Sequence, residues 1–304
     1  MHRLDDKTYY YRPKIYCFGL DSIIYMADLL EKLRREPVTI EAPLIRLLGQ
    51  VDNMIRLILE SGLSMSISSI NIPYHSLGKP TSDPGYIAKM IMDELKTDPI
   101  IHVPLGVENR YSLIGKLIQY SIIGVEGILL LSGDVKIGGV SYEEAINLAR
   151  DFIDGEIAFE DKRFKVEKHV YTLGGALIPY RDDEVERVKY KVRIGIQFFQ
   201  TQVILEPQHI LKILNNGYPR DTPLLIGVAP HLESLERYLS SHIPGYPPRN
   251  MPKRQRSYTE WLASNIGIIL DRCREYGVPA GIHIYPISWS EASISTAGEL
   301  LDLI

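Results

Sequence analysis

The stretch Lys189-Tyr-Lys-Val-Arg-Ile-Gly-Ile-Gln-Phe-Phe-Gln-Thr-Gln202 predicts the end of a helix, a stop at Gly195 and then a short buried strand. The strand begins with two phenylalanines but ends with the polar residues Gln200, Thr201 and Gln202. Polar residues at the carboxyl end of a strand are typical of a (βα)8 barrel, because that rim builds the active site. A buried carboxamide without partners costs roughly 1–3 kcal/mol, so we expect Gln202 to bind a ligand or to cap a neighbouring loop.

Short apolar runs alternate with amphipathic stretches from about residue 38 onward, which indicates parallel strands joined by helices. A doubly wound open sheet is the alternative, but it should carry a glycine-rich turn after its first strand, and Val38–Leu44 has none. We therefore predict an α/β fold, with a single (βα)8 TIM barrel over residues 37–304. The eight predicted strands are Val38–Pro43, Ser64–Ile72, Ile100–Pro104, Gly127–Leu131, Val170–Leu177, Phe198–Ile204, Leu224–Ala229 and Gly281–Pro286.

Helical periodicity fills the intervals between these strands, and Asp182 and Asp183 have the side chains of an N-cap before one of them. The predicted helices are Leu44–Ser61, Tyr86–Leu95, Tyr111–Ile123, Tyr142–Phe152, Asp183–Ile194, Gln208–Leu214, Leu232–Leu239 and Trp261–Tyr276. The charged segment Asp154–Lys168 predicts a small hairpin before the fifth strand. Residues 1–36 form a predicted N-terminal extension with an aromatic lead-in at Tyr9–Tyr11 and one helix, Ser22–Arg35. We expect that helix to close the lower end of the barrel or to contact a partner subunit.

The bulk composition narrows the functional class. The 304 residues carry a net charge of −4, which gives no indication of binding to nucleic acid or to an anionic membrane. Two cysteines are too few for a disulfide framework. The N-terminus has no signal-peptide pattern, and no stretch approaches 18 uninterrupted apolar residues. We expect a cytoplasmic protein without a membrane anchor.

Several other predicted strands also end in, or carry, polar residues. Glu41 ends the first strand in an apolar context, where burial would raise its pKa and suit it to act as a general acid. Each such residue alone has an ordinary structural explanation, but together they place an acid, an amide, an imidazole and a second carboxylate around one rim. The other polar residues are Asn71, His102, Ser132, Gly133, Asp134, His283 and Tyr285.

Motif searches exclude several chemistries. The segment Gly133–Gly139, with Lys136, could approach a phosphate through backbone N–H groups or could be only a flexible loop. The sequence has no phosphate-binding loop of the Walker type, no dinucleotide fingerprint, no His-Glu-x-x-His helix and no Gly-x-Ser-x-Gly elbow. No spacing of His, Asp and Glu predicts a metal site.

A set of motifs in register resembles the methylenetetrahydrofolate reductase family over nearly all of residues 37–304. No single motif is specific to this family, but the presence of all of them in the same order is. The motifs are Val38-Thr-Ile-Glu-Ala-Pro43, Ile70-Asn-Ile-Pro73, His102, Leu131-Ser-Gly-Asp134, Gly174-Gly-Ala-Leu-Ile-Pro179, the Lys189-x-Lys191-Val192 helix, the strand ending at Gln202, Pro223–Pro230 and Gly281-Ile-His-Ile-Tyr285.

The resemblance implies a flavin-dependent oxidoreductase, in which a reduced nicotinamide supplies hydride to FAD and the flavin reduces 5,10-methylene-tetrahydrofolate to the 5-methyl form. It implies that Glu41 is the general acid and that Asp134 stabilises a cationic iminium. It also implies that Gln202 and Tyr285, with Glu41, bind the pterin of the substrate. The implied cofactor-binding residues are Asn71, His102, Ser132, Gly133, Asp134, Ala176 and Lys191.

Three departures from the family pattern leave alternatives open. Ser132 stands where many members have Arg, Ile178–Asp183 is shorter than the usual segment, and His231–Ser240 lacks the pattern that stacks a nicotinamide. FMN could therefore replace FAD, a partner protein could donate the electrons, and the substrate could be a modified tetrahydropterin. The alternative functions are a non-catalytic pterin- or flavin-binding subunit and a corrin-linked methyltransferase. We also expect a homo-oligomer.

Overall fold

Eight parallel strands close into one barrel in the computed structural model, which describes residues 28–238 and 246–304. The barrel confirms the predicted (βα)8 architecture, and its strands run in the order β1-β10-β9-β8-β7-β4-β3-β2. An antiparallel hairpin of β5 and β6 follows the fourth barrel strand, as predicted. The strands are β1 Val38–Glu41, β2 Ser69–Ile72, β3 Asp98–Pro104, β4 Gly127–Leu131, β5 Glu156–Phe159, β6 Lys162–Lys165, β7 Thr172–Leu177, β8 Phe198–Val203, β9 Leu224–Val228 and β10 Ala280–Ile284.

Helices cover the outside of the barrel, where the outward side chains of the strands join one large apolar core. Three short 3-10 turns, Leu63–Met65, Ser76–Gly78 and Leu105–Val107, connect elements near the rims. The helices are α1 Asp28–Leu33, α2 Leu48–Glu60, α3 Pro84–Leu95, α4 Arg110–Ile123, α5 Tyr142–Asp154, α6 Glu184–Ile194, α7 Gln208–Asn215, α8 Leu232–Tyr238, α9 Gln255–Tyr276 and α10 Glu291–Leu301.

Three details differ from the sequence predictions. Helix α10 was not predicted, because its Ser- and Thr-containing sequence has weak helix propensity; the Ser290 hydroxyl caps it by accepting from the backbone N–H of Ser293. The second strand begins at Ser69 rather than Ser64, because a 3-10 turn occupies Leu63–Met65. Asp183 stands at the N-cap position of α6 but makes no capping hydrogen bond, since its carboxylate instead accepts from Arg187 Nε at 2.8 Å.

The inner face of the barrel changes from apolar to polar along β8. At the lower level Phe198 packs with Ile100, Leu129 and Leu225. Gly174 faces the Phe198 ring, and a Cβ at this position would lie 2.2 Å from the ring, so only glycine leaves room for the phenylalanine. Because side chains alternate along a strand, Gln200 and Gln202 follow Phe198 on the inner face and lie nearer the carboxyl rim.

Helix α1 closes the lower end of the barrel. Leu29 and Leu33 are fully buried in the same inner cluster as Phe198. The Leu29 N–H donates to Glu126 Oε2 at 3.1 Å, and Lys32 Nζ donates to Asp98 Oδ2 at 2.5 Å; both acceptors lie at the amino ends of barrel strands. The helix was predicted to close the lower end of the barrel or to contact a partner subunit, and the first of these two positions is observed. Tyr9–Tyr11 and residues 22–27 of the predicted helix lie outside the described residues, and the boundary at residue 36 stays a prediction.

Candidate functional site

A cleft of about 900 Å³ opens at the carboxyl ends of the barrel strands. Of the residues predicted to form the site, all but Asn71 line it: Glu41, His102, Ser132, Gly133, Asp134, Ala176, Lys191, Gln202 and Tyr285. The volume lies near the upper end of the range of about 300–1,000 Å³ for small-molecule sites. The polar residues that were predicted to meet at the strand ends therefore line one continuous cleft.

Glu41 lines the cleft at the end of β1. Burial raises the pKa of its carboxyl from 4.5 to about 7, although nearby His102 opposes the shift. Glu41 Oε2 is 3.7 Å from His283 Nε2, and His283 Nδ1 lies 2.8 Å from Thr39 Oγ1. Burial lowers the pKa of His283 to about 3 and that of His102 to about 4, so both imidazoles are neutral at neutral pH. A carboxyl that can hold or release a proton near pH 7 therefore faces two neutral imidazoles.

The two amides of β8 have different environments. Gln200 is 3% exposed; its Oε1 accepts from Asn71 Nδ2 at 2.5 Å and its Nε2 donates to Tyr285 Oη at 3.0 Å. Gln202 is exposed at the rim. The assumption that the Gln202 amide is buried was wrong, because its side chain is exposed at the cleft while Gln200 occupies the interior; its contact with a ligand stays a prediction. Asn71 lies beneath the cleft in this buried network.

Tyr285 connects the network to the cleft. It comes one residue after β10, lines the cleft, and donates through its hydroxyl to the backbone oxygen of Thr201 at 3.0 Å. Its ring meets His283 edge to face, with 4.4 Å between the ring centroids. Gln200, Tyr285 and His283 therefore support one another, and the floor under Glu41 has a fixed shape.

The turn after β4 carries Ser132, Gly133 and Asp134. Gly133 has a φ of +78°, a left-handed conformation that glycine adopts without strain. The exposed Asp134 carboxylate accepts from the Leu77 backbone N–H at 2.8 Å, and Leu77 itself has a φ of 57°. This contact joins the loops after β2 and β4 across the edge of the cleft. Lys136 is exposed and lies outside the cleft lining, so the turn offers Gly133 and Asp134 to a ligand without that lysine.

One end of the cleft is cationic. We use the name cationic end for Arg181 and Lys191 with the adjoining Ala176 and Tyr142, all of which line the cleft. Lys191 Nζ donates to the Ala176 backbone oxygen at 2.7 Å, and burial lowers the pKa of this lysine. The fully buried Glu184 lies behind these groups, with its Oε2 at 3.7 Å from Arg181 Nη1. One carboxylate therefore serves two cations, which leaves positive charge for an anionic ligand.

The opposite end is apolar. We use the name apolar end for Leu44, Ile287 and Trp289, with Arg46 at its outer edge. These residues follow β1 and β10, which lie across the barrel from β7 and β4, the strands nearest the cationic end. Ile287 has a φ of 64°, which for a β-branched residue costs of order 1–3 kcal/mol.

Hydrogen bonds on either side of Ile287 hold this strained turn. Ser293 Oγ donates to the Pro286 oxygen at 2.7 Å, the hydroxyls of Ser234 and Ser288 lie 2.8 Å apart, and Asn53 Nδ2 donates to the Trp289 oxygen at 3.2 Å. The apolar wall therefore has a defined shape before any ligand binds.

Several residues of the site were not singled out from the sequence as ligand or network groups: Thr39, Arg46, Arg181, Gln200 and Trp289. The period of two along β8 could have identified Gln200, since it shares a face with Phe198 and Gln202. Arg46, Arg181 and Trp289 lie in loops, whose paths the periodicity of strands and helices does not predict. Within residues 28–238 and 246–304 no cluster of His, Cys, Asp and Glu suits a metal ion, and no helix there is long and apolar enough to cross a membrane.

The fold and the cleft define a (βα)8-barrel protein with a ligand site at the carboxyl ends of its strands and a neutral-range carboxyl at the centre. The profile of the methylenetetrahydrofolate reductase family matches residues 50–240, more than half of the chain. The chain belongs to the methylenetetrahydrofolate reductase family, which confirms the predicted resemblance. Glu41 and Tyr285 lie outside the matched range, so the structure supplies independent evidence on their positions.

One solved structure supports the fold. It is described as an uncharacterized protein from Clostridium thermocellum that binds two copies of 5-methyl-5,6,7,8-tetrahydrofolic acid; it has a TM-score of 0.66 and 19% identity, over 91% of this chain and 100% of that chain. Oxaloacetate acetylhydrolase is more distant, with a TM-score of 0.49 and 14% identity over 90% of this chain and 82% of that chain. No curated protein sequence matches the chain.

Proposed function

We propose that the chain is a flavin-dependent oxidoreductase that reduces 5,10-methylene-tetrahydrofolate, or a related tetrahydropterin, to the 5-methyl form. The observation that carries the proposal is the Glu41 carboxyl, whose pKa of about 7 allows it to hold a proton at neutral pH at the centre of a large cleft. The five-membered ring of the substrate must open before reduction, and the leaving nitrogen N10 needs a proton. Glu41 is the group in the cleft that suits this general-acid step.

The groups around Glu41 can assist its proton transfer. If the Thr39 hydroxyl donates to His283 Nδ1, the Nε2–H of His283 points toward the Glu41 carboxylate and stabilises the charge left after the proton has gone. In the other tautomer Nε2 accepts from the protonated carboxyl. The His283 imidazole, held by Thr39, can therefore form a hydrogen bond with either the ionised or the protonated Glu41 carboxyl, once ligand binding shortens the separation of 3.7 Å.

Ring opening leaves a positive charge on N5 of the substrate. The Asp134 carboxylate lies at the cleft edge, where its charge would stabilise the cationic iminium. Gln202, exposed at the rim, and Tyr285, on the floor, would hold the pterin ring so that its methylene carbon has one orientation. Hydride addition to this carbon then yields the methyl group, and the overall reaction consumes one hydride and one proton.

The cationic end fits a phosphorylated flavin. Arg181 and Lys191 line the cleft with the buried Glu184 behind them, and the Gly133 turn follows β4, the barrel neighbour of β7. His102, Ser132, Ala176 and Lys191 would hold the flavin, while Asn71 would support it from below. A bound flavin would supply the hydride. FAD is the first candidate and FMN the alternative, with reduced nicotinamide or a partner protein as electron donor.

The ligand of the Clostridium thermocellum protein supports the pterin part of the proposal. That protein is described as binding two copies of 5-methyl-5,6,7,8-tetrahydrofolic acid, which is the product of the proposed reaction. The cleft of about 900 Å³ leaves room for two ring systems side by side, which the proposed pair of pterin and flavin requires.

The test begins with the purified protein. We expect a flavin absorption spectrum, either as isolated or after addition of FAD or FMN, and conversion of methylene-tetrahydrofolate with a reduced nicotinamide or a chemical reductant. Glu41→Gln should abolish the conversion while the protein still binds flavin and pterin. A protein that takes up no flavin and never converts the substrate with any reductant would contradict the proposal.

A non-catalytic pterin-binding subunit is the second candidate. The short Ile178–Asp183 segment favours it, because less protein surrounds a dinucleotide there than the family pattern implies. Such a subunit would bind 5-methyl-tetrahydrofolate but show no turnover with any donor, whereas robust turnover that Glu41→Gln abolishes would exclude it. The cytoplasmic location and the homo-oligomer stay predictions.

A further inference from the structure

We propose that Tyr285, Gln200 and Asn71 form a directed hydrogen-bond network that fixes His102 as the Nδ1–H tautomer. His102 then offers the cleft a hydrogen-bond donor and no acceptor, which selects a ligand that places an acceptor atom beside it. In this role the three residues act through His102 and are positioning residues. The tautomer follows from the protein alone, whereas its use in selecting a ligand rests on the proposed function.

The direction of the network is set at the backbone oxygen of Thr201. Strand β8 is irregular opposite β9 between Gln200 and Val203, and there the Gly227 N–H donates to the Thr201 hydroxyl at 2.8 Å. The Thr201 carbonyl accepts from the Tyr285 hydroxyl at 3.0 Å. A carbonyl oxygen can only accept, so the single proton of the Tyr285 hydroxyl belongs to this bond.

Each further hydrogen bond follows from this direction. Tyr285 Oη has given its proton away and can only accept, so the nitrogen Nε2 of Gln200 faces it at 3.0 Å. The oxygen Oε1 of Gln200 therefore faces Asn71 and accepts from Nδ2 at 2.5 Å. The same Asn71 nitrogen lies 3.4 Å from His102 Nε2 and directs its second proton there. His102 Nε2 must then be an acceptor, so the proton of the neutral ring lies on Nδ1.

The reverse direction is the costlier arrangement. If Tyr285 donated to Gln200, the Thr201 carbonyl would lose this donor. The Asn71 NH2 group would also turn away from Gln200 and His102, to the place where Oδ1 now makes no hydrogen bond with any described residue. A buried NH2 group has two protons to place, and unpaired buried donors are rarer in proteins than an acceptor that lacks a partner. The network therefore runs from Asn71 toward Thr201.

The Nδ1–H group of His102 is available to a ligand. His102 lines the cleft, and its Nδ1 makes no hydrogen bond within residues 28–238 and 246–304. Burial lowers the pKa of His102 to about 4, so the ring stays neutral and keeps one tautomer throughout the neutral range. A ligand acceptor at this point gains a hydrogen bond, whereas a ligand N–H or O–H would face a second donor and be disfavoured.

The experiment reads the tautomer by NMR in protein whose histidine rings carry ¹⁵N. Two-bond couplings between ring protons and ring nitrogens show which nitrogen is protonated, and His102→Gln identifies the His102 signals by their loss. We expect the ligand-free wild type to have Nδ1 protonated and Nε2 unprotonated. Tyr285→Phe keeps the ring but removes the proton that sets the direction. His102 should then become a mixture of both tautomers, although three hydrogen bonds separate it from Tyr285.

Tyr142→Phe is the matched control. Tyr142 also lines the cleft, and its hydroxyl also donates to a backbone carbonyl, that of Leu130, but it lies outside the network. This variant should leave the His102 tautomer unchanged. A wild-type His102 with its proton on Nε2 would overturn the inference, and so would an Nδ1–H tautomer that persists in full in Tyr285→Phe.

FMN is the probe for the selecting role. On binding, which absorption shows independently, the His102 Nδ1–H signal should move downfield and exchange more slowly with solvent, because an acceptor covers it. Bound FMN that leaves this signal unchanged would overturn the selecting role while the proposed function stands. If FMN does not bind, the selecting role fails together with the flavin part of the proposed function, and the tautomer is decided by the ligand-free spectra.

Discussion

The two ends of the cleft differ in charge, in polarity and in how their side chains are held. At the cationic end, Lys191 and Arg181 share the buried Glu184, and Lys191 is bonded to a strand carbonyl. At the apolar end, Asn53 Nδ2 donates to the Trp289 backbone oxygen and holds the tryptophan, and the cations Arg46 and Lys79 also line the cleft. A single barrel rim thus offers a cationic surface and an apolar surface. Under the proposed function, the two ends would bind the ligands and Glu41 would perform the chemistry.

The strongest test of this division is Glu41→Gln. If the centre performs chemistry and the ends only bind, turnover of methylene-tetrahydrofolate should fall about 10²- to 10⁴-fold, the usual contribution of a general acid. Dissociation constants for flavin and for 5-methyl-tetrahydrofolate should change little. Steady-state kinetics and calorimetry measure the two effects separately, with Glu60→Gln on the surface of α2 as the control. A parallel loss of ligand binding would show that Glu41 is a binding group.

The same substitution should stabilise the protein, because burial raises the Glu41 pKa from 4.5 to about 7. The folded protein keeps a proton that the unfolded chain releases, so its stability falls as the pH rises from about 4.5 to 7, by roughly 3 kcal/mol. Glu41→Gln removes this penalty and should therefore raise the free energy of unfolding by about 2–3 kcal/mol at pH 8 and hardly at all at pH 4.5. Urea denaturation at the two pH values measures the difference.

Arg46→Gln is the control for this experiment. Arg46 is exposed and no carboxylate of the described residues pairs with it, so the substitution should change the free energy of unfolding by less than about 0.5 kcal/mol at either pH. A pH-independent effect of Glu41→Gln would mean that the carboxyl has the same pKa in the folded and the unfolded protein.

Lys191→Gln tests the cationic end alone. A hydrogen bond to a charged group contributes about 1.5–3 kcal/mol, so the affinity for FMN or FAD should fall about 10- to 100-fold. Riboflavin, which has no phosphate, should bind the variant and the wild type equally well in a fluorescence titration. Lys189→Gln, on the exposed face of the same helix, is the matched control because Lys189 pairs with Glu186. An equal loss for riboflavin would place the lysine at the ring rather than at the phosphate.

Trp289→Leu tests the apolar end and should have the smallest effect. Leucine keeps an apolar wall but loses the aromatic stacking, which contributes about 0.5–1.5 kcal/mol. The affinity for 5-methyl-tetrahydrofolate should therefore fall about 3- to 10-fold while flavin affinity stays the same. Trp261→Leu, on α9 and away from the cleft, serves as the control. A change in flavin affinity would contradict the separation of the two ends.

The sequence predicted the barrel because apolar strands and amphipathic helices leave periodic signals. It also placed Glu41 and His102 at one rim, since polar residues in predicted strands can be recognised; Lys191, on helix α6, was implied by the family resemblance, and it lines the same cleft. It did not distinguish Gln200 from Gln202, because both share one face and only the depth of the barrel decides which is buried. Arg46 and Trp289 were not identified as ligand groups, since the tertiary path of their loops decides which way they face.

Helix α1 has a consequence for how the central carboxyl exchanges its proton. Within the described residues, Leu29 and Leu33 fill the lower end of the barrel, while Glu41 lines the cleft at the opposite rim. If the proposed reaction takes place there, solvent and substrate would approach Glu41 from the same side, and a bound substrate would separate the acid from bulk water. The acid would then need its proton before the substrate binds, so the rate should fall above about pH 7 as the protonated fraction of the empty site falls.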